Sequence, residues 1–260
     1  VISNTLTYIR NGNILIKNAY VVALDPQYKE MSSKEYPSVS LTQKSIKDSF
    51  GTGKQFTYRF SGNLNQNDIE QNIYIYPDLP YILVEASVIA SSGKTSSTKI
   101  CPIVSDSPNT LSLIGSNNNR IYNMPFANDN WATFSTIPWE VGQQIVSCEA
   151  TALFNIDSRK SIVIGSVDHS SWKSAVYVTP NAGNRLRRLI VEAGYVSERT
   201  WDVMSGKPSS KRHGAVRGTR VNSPRFMLGY FDDWRVGLET YGEANTVLDR
   251  KSTRLNSSHW

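Results

Sequence analysis

The sequence predicts an all-β protein, an antiparallel sandwich followed by one C-terminal helix. Three observations carry that prediction. Short apolar runs, several alternating polar and apolar residues, recur between turn signals about every eight to twelve residues, as in half-buried antiparallel strands. No amphipathic helical pattern precedes residue 233. The 6 Trp, 13 Tyr and 8 Phe, within a hydrophobic fraction of 39%, supply the apolar mass of one large β core.

Taken in order, Leu6–Arg10 and Asn13–Leu24 flank Asn11-Gly12, a short hairpin signal. Residues 25–50, with Pro26 and Pro37, read as polar and irregular. Gly51-Thr52-Gly53-Lys54 reads as a turn between strands. Strands are expected at 55–61 (QFTYRFS), 71–77 (QNIYIYP) and 80–90 (PYILVEASVIA), with shorter ones at 97–104 and 109–115. After a loop come 144–155 (QIVSCEATALFN), 160–168, 172–178 and 186–193, punctuated by turns at Asp157-Ser158 and Asp168-His169-Ser170. The basic stretch 204–220 (MSGKPSSKRHGAVRGTR) reads as a long surface loop. No Gly/Ser/Pro linker interrupts these elements, so residues 1–221 form one expected domain.

Residues 222–249 change character. Arg225–Phe231 suits a strand opened by Pro224, and an amphipathic helix follows. Asp232 is the expected cap, with Asp233 placing negative charge in the first turn. Trp234, Leu238 and Tyr241 fall at i, i+4 and i+7, with Gly237 and Ala244 on the same side, giving one apolar face.

Several function classes are excluded on chemistry. No apolar run approaches the ~18 residues of a transmembrane helix. Of the formal net charge of +6, Arg250, Lys251 and Arg254 contribute three, and the +3 left is an ordinary surface rather than a nucleic-acid footprint. Gly51-Thr52-Gly53-Lys54 lacks a phosphate loop's first glycine, since Asp48 stands there, and its Lys precedes Gln55. His169 and His213 have no Cys or Asp at ligand spacing, and no Gly-x-Ser-x-Gly elbow occurs, so neither a metal, a cofactor nor a catalytic nucleophile is expected. Neighbouring Asp232 and Asp233 point about 100° apart on a helix, unlike a glycosidase's facing carboxylates. Cys101 and Cys148 are expected as buried free thiols, and would pair only on adjacent strands.

One loop has a composition suited to binding. In NNNRIYNMPFANDNWATFSTIPW (117–139), Asn128, Asp129 and Asn130 put donors and acceptors beside Trp131, with Phe126, Phe134 and Trp139 close by. Sugar hydroxyls need such polar partners, and the C–H face of a pyranose needs a flat apolar surface. The same composition also suits a plain surface loop whose aromatics anchor it to the core. Asp168-His169-Ser170-Ser171-Trp172-Lys173 carries a similar mixture, read first as a tight turn with Trp172 buried.

Four stretches, in this order, resemble a known arrangement: DSFGTGKQFTYRFSG (48–62), NMPFANDNWATF (123–134), SCEATALFNIDSRKSIVIGSVDHSSWKSAV (147–176) and SPRFMLGYFDDWRVGLETYGEAN (223–245). Together they resemble the N-terminal domain of bacterial α-galactosidase-like, melibiase-type glycoside hydrolases. The resemblance implies a galactose-mutarotase-like β-supersandwich, then a connector helix and a (β/α)8 barrel that holds both catalytic aspartates. No residue of this chain is then catalytic. Asn128, Asp129, Asn130 and Trp131 become candidates for the rim of a sugar pocket, with an α-galactoside or related carbohydrate as partner. It also implies a periplasmic or secreted protein. Residues 250–260 (RKSTRLNSSHW) resemble translated adapter sequence, so the natural chain is expected to diverge near Asp249, and the apolar helix face is expected to meet the missing barrel. A self-sufficient lectin-like sandwich and a structural or adhesion sandwich are the other expectations.

Overall fold

The computed structural model describes residues 4–10, 13–107, 110–112, 118–125, 134–194, 201–202, 207–208 and 214–256. Two antiparallel sheets face each other. The smaller, of eight strands, runs in the order Leu6–Arg10, Asn13–Leu24, Lys99–Ser105, Arg185–Ala193, Ser174–Asn181 and Ile145–Cys148, with Glu30–Ser32 and Leu111–Ser112 attached at its flanks. The larger, of ten, runs Ser135–Pro138, Asn119–Asn123, Ala150–Asn155, Ser161–Ser166, Phe226–Phe231, Tyr81–Ile89, Asp68–Ile75, Gly51–Ser61 and Ser38–Asp48, with Arg220–Asn222 beside Tyr81–Ile89.

Alternation places the core. Ile162, Ile164, Phe226, Leu228, Val84 and Leu153 point inward from the larger sheet and meet Ile103, Val176, Val178, Leu189 and Val191 from the smaller. A second cluster between the sheets joins Val21, Ala23, Phe60, Ile69, Ala86, Val88, Ile100 and Trp172. Each Val, Leu, Ile or Phe among them, fully buried, contributes about 1.5–3 kcal/mol.

A third apolar cluster lies on the outer face of the larger sheet and is closed by the helix, Trp234–Asn256. Trp234, Leu238, Tyr241, Ala244, Val247 and Leu248 pack on Ala150, Ala152, Phe154, Val163, Phe231 and Met227. The Trp234 ring stacks on Phe154 with centroids 4.8 Å apart. The expectation that this face awaits a barrel is therefore corrected: the domain's own sheet covers it. Small residues permit the approach. A Cβ on Gly165 would lie 2.5 Å from both Ala150 Cβ and the Tyr241 ring, and one on Gly237 would lie 2.7 Å from Val163.

Other expectations are corrected too. Part of the stretch read as irregular, Ser38–Asp48, is an eleven-residue strand, paired along its whole length with Gly51–Ser61. Its polar residues are tolerated because it is the exposed edge of the sheet. Gly51-Thr52-Gly53-Lys54 is the start of the partner strand rather than a turn; the turn is Ser49-Phe50. The single strand expected at 144–155 is two strands in different sheets, separated at Glu149, whose φ of 61° lies in the left-handed region. Within 204–220, Lys207–Pro208 and Val216–Gly218 are short strands, and 203–206 and 209–213 lie outside the described residues.

The cap is one residue later than expected. The Asp233 carbonyl accepts the Gly237 N–H at 3.0 Å, and its carboxylate accepts the Arg235 N–H at 3.0 Å. The Arg235 guanidinium bonded to it holds Asp233 well below the usual carboxylate range. The helix also runs beyond residue 245 to Asn256, since 246–256 contains neither Gly nor Pro to stop it. Cys101 and Cys148 are both buried and form no disulfide, as expected. Two strands separate theirs in the smaller sheet, which at the usual inter-strand spacing puts them about 14 Å apart.

Candidate functional site

Asn128, Asp129, Asn130 and Trp131 lie outside the described residues; the described residues that flank them are 118–125 and 134–139. On one side Asn123 Nδ2 donates to the Val146 carbonyl at 2.8 Å, and the Met124 N–H donates to Ser147 Oγ at 2.8 Å. The Met124 carbonyl in turn accepts the Cys148 N–H at 2.7 Å. On the other side Phe134 stacks on Tyr122, with centroids 5.9 Å apart and planes 21° from parallel. Tyr122 belongs to the outer-face cluster that the helix closes, and Phe134 is 64% exposed. Phe134 thus presents a flat, open aromatic surface beside Tyr122 on the helix side of the larger sheet. Trp139, farther on, is half-buried against the core and donates its indole N–H to the Asn181 carbonyl at 3.2 Å.

The second polar-aromatic stretch has the structure of a turn with its Trp buried. Asp168 Oδ1 accepts the Ser170 N–H at 3.0 Å, and Trp172 is 6% exposed with its indole N–H on the Asn222 carbonyl at 2.8 Å. His169 ties the turn to the helix, its Nε2 lying 2.9 Å from Asn245 Oδ1.

Sequence reasoning did not anticipate a polar network on the same outer face, centred on Arg225. Its guanidinium lies 2.9 Å from Asp48 Oδ2 and 3.9 Å from Glu85 Oε2, and 4.6 Å over the Tyr74 ring. The Tyr76 hydroxyl donates to Asp48 at 2.8 Å, while the Tyr74 hydroxyl donates to Glu85. Asn72 donates to Glu85 at 3.1 Å and accepts from Thr57 and Gln55 at 2.6 and 2.9 Å. Burial and the Glu85 carboxylate push the Tyr74 hydroxyl up; burial alone would lower Arg225, but Tyr74, Glu85 and Asp48 beside it carry it upward. Every member holds another, so this network is a lock between residues 177 apart in sequence. Three of the four stretches that carry the resemblance come together on this outer face: 48–62 joins 223–245 through Asp48 and Arg225, and 147–176 joins it under the helix through Gly165 with Tyr241 and His169 with Asn245.

Among the described residues no group of three His, Cys, Asp or Glu side chains could hold a metal ion. Asp233 is engaged by Arg235 and by Arg159 at 3.6 Å, the arrangement of a cap rather than of a catalytic acid. No described helix is long and apolar enough to cross a membrane.

The architecture defines a two-sheet antiparallel sandwich sealed on one outer face by its own C-terminal helix. The same fold occurs within solved glycoside hydrolases. A GH36 α-galactosidase, AgaA from Geobacillus stearothermophilus in complex with stachyose, superposes with a TM-score of 0.53 at 11% identity. A β-arabinopyranosidase gives 0.52 at 9%, and the α-N-acetylgalactosaminidase NagBb from Bifidobacterium bifidum, in its GalNAc complex, gives 0.51 at 12%. Each match covers 88% of this chain and only 32%, 38% and 34% of the respective glycosidase chain. The chain thus spans about a third of the length of the structures it matches. No family model matches it, and no curated protein matches it in sequence.

Proposed function

We propose that this chain is the non-catalytic N-terminal domain of a retaining α-galactosidase-like glycoside hydrolase. One observation supports it most: 88% of this chain matches a part, about a third, of glycosidase chains that are much longer. In this reading a (β/α)8 barrel follows the helix and supplies both catalytic carboxylates, and residues 250–260 are foreign to the natural protein. The loop carries Asn128, Asp129, Asn130 and Trp131 to the rim of the barrel's sugar pocket, and the parent is periplasmic or secreted. The 260-residue chain should unfold cooperatively yet leave an aryl α-galactoside unhydrolysed. Turnover that survives rigorous purification would overturn the reading. In the intact parent enzyme, Trp131→Ala should raise KM about tenfold, the loss of one good contact; an unchanged KM removes the loop from the pocket.

The exposed Phe134 ring on Tyr122 favours a second reading, a lectin-like sandwich that binds carbohydrate unaided. That reading requires saturable galactoside binding by the isolated chain, weakened by both Trp131→Ala and Phe134→Ala.

A further inference from the structure

We infer that a second site, a polar cleft between the turn at Asp168–Trp172 and the segment Arg220–Pro224, binds a neutral polyhydroxylated ligand the size of a single sugar. The cleft encloses about 240 Å3. Its two walls are tied together at the base by Trp172, whose indole donates to the Asn222 carbonyl at 2.8 Å. The far wall is pinned to the larger sheet, since Ser223 Oγ accepts the Ala86 N–H at 3.0 Å and the Ser223 N–H donates to the Ala86 carbonyl at 2.8 Å. The near wall is held by the bond from Ser170 N–H to Asp168 Oδ1. The cleft is therefore preformed, and a ligand entering it orders little.

The groups left over at its mouth define the ligand. Asp168 keeps Oδ2 as an acceptor. Asn222 Oδ1 accepts from Ser87 Oγ at 2.8 Å, which leaves its amide N–H2 as a donor. The exposed hydroxyls of Ser170 and Ser171 can each donate or accept. Arg220 is already neutralised by Glu70 at 2.7 Å, so the cleft holds no uncompensated cation to draw an anion. A single carboxylate without a second acidic or His partner in the lining does not suit a metal ion. Acceptors and donors side by side, without net cationic charge, fit hydroxyl groups that must both give and receive hydrogen bonds. None of these residues belongs to the loop at 126–133 or to the Arg225 network.

Titration of the 260-residue chain with D-galactose and with D-glucose, followed by NMR and calorimetry, tests this. Saturable millimolar binding of at least one of them is expected, with shifts at the Trp172 indole and the Asn222 amide. Asp168→Asn keeps the acceptor for Ser170 but converts the free oxygen to a donor. It should weaken binding about tenfold or more, the effect of losing one charge-assisted hydrogen bond. Ser171→Trp, which fills the mouth from an exposed position, should abolish binding. Trp131→Ala and Phe134→Ala should leave it unchanged, which separates this site from the loop. Unfolding midpoints within error of the parent chain certify each variant's fold. Absence of saturable binding overturns the inference, as does binding lost in Trp131→Ala but retained in Ser171→Trp. Failure here leaves the predicted lack of hydrolysis untouched.

Discussion

The outer face of the larger sheet is divided into two halves that solve one problem differently. Over Ala150, Ala152, Val163 and Gly165 the face is small and apolar, and the domain's own helix covers it. Over Thr57, Arg59, Glu70, Asn72, Glu85 and Arg225 the same face is charged and hydrogen-bonded to itself. The first half gains from removal of apolar area from water; the second gains only when every charge keeps its partner, because a half-buried charge left alone is costly. Steric change should therefore damage the first half most, and deletion of one charge the second.

The largest effect is expected under the helix. Gly165→Val forces atoms into the Ala150 Cβ and the Tyr241 ring, and should lower unfolding stability by about 3 kcal/mol or detach the helix. Urea denaturation followed by Trp fluorescence measures it, and near-parental stability would show that helix and sheet are not in contact. Next, Arg225→Ala strands Asp48 and Glu85, at a cost of about 2 kcal/mol given their partial exposure. Arg225→Lys should recover only part of this, since one ammonium cannot serve both carboxylates and the Tyr74 face; full recovery would reduce the network to simple charge balance. Asp233→Ala removes the cap from the helix and should lower the urea midpoint of unfolding. Asp232→Ala, by contrast, should be near neutral, and equal effects would return the cap to Asp232.

At neutral pH Tyr241→Phe should cost only about 1 kcal/mol, for the bond to the Ser166 carbonyl at 2.8 Å. Its pH dependence says more. Burial pushes the Tyr241 hydroxyl up to about 12 from an ordinary 10.0. Between those values the unfolded chain loses its proton before the folded one, so this stabilisation is complete below pH 10 and is lost as pH rises toward 12. Tyr241→Phe should flatten that part of the alkaline stability curve; an unchanged slope would mean that the hydroxyl reaches water.

Much of the sandwich was legible from period alone. The alternation in 71–77 and the apolar run in 80–90 predict strands that the structure places in the middle of the larger sheet. The apolar stripe of Trp234, Leu238 and Tyr241 predicts its helix. Ser38–Asp48 was not legible, because an edge strand exposed on its free side loses the alternation that marks burial. The break at Glu149 was hidden inside one strand-like stretch, since the strands on both sides of it are buried and β-patterned alike. Of the candidate sites, the polar-aromatic composition at 168–173 was visible, but the wall that makes it a cleft comes from Arg220–Pro224, some fifty residues away.

The sequence by itself determined the antiparallel sandwich and the amphipathic helix after it, because these depend on periodicity and spacing within short windows. Only the tertiary structure decided what the helix covers and which charges meet. Asp48 and Arg225 sit 177 residues apart, and no local pattern records that a sheet brings them to 2.9 Å. The same holds for the helix face: its stripe announces that it must be buried, but Gly165 and the small residues around it decided that the sheet, and not another domain, would bury it.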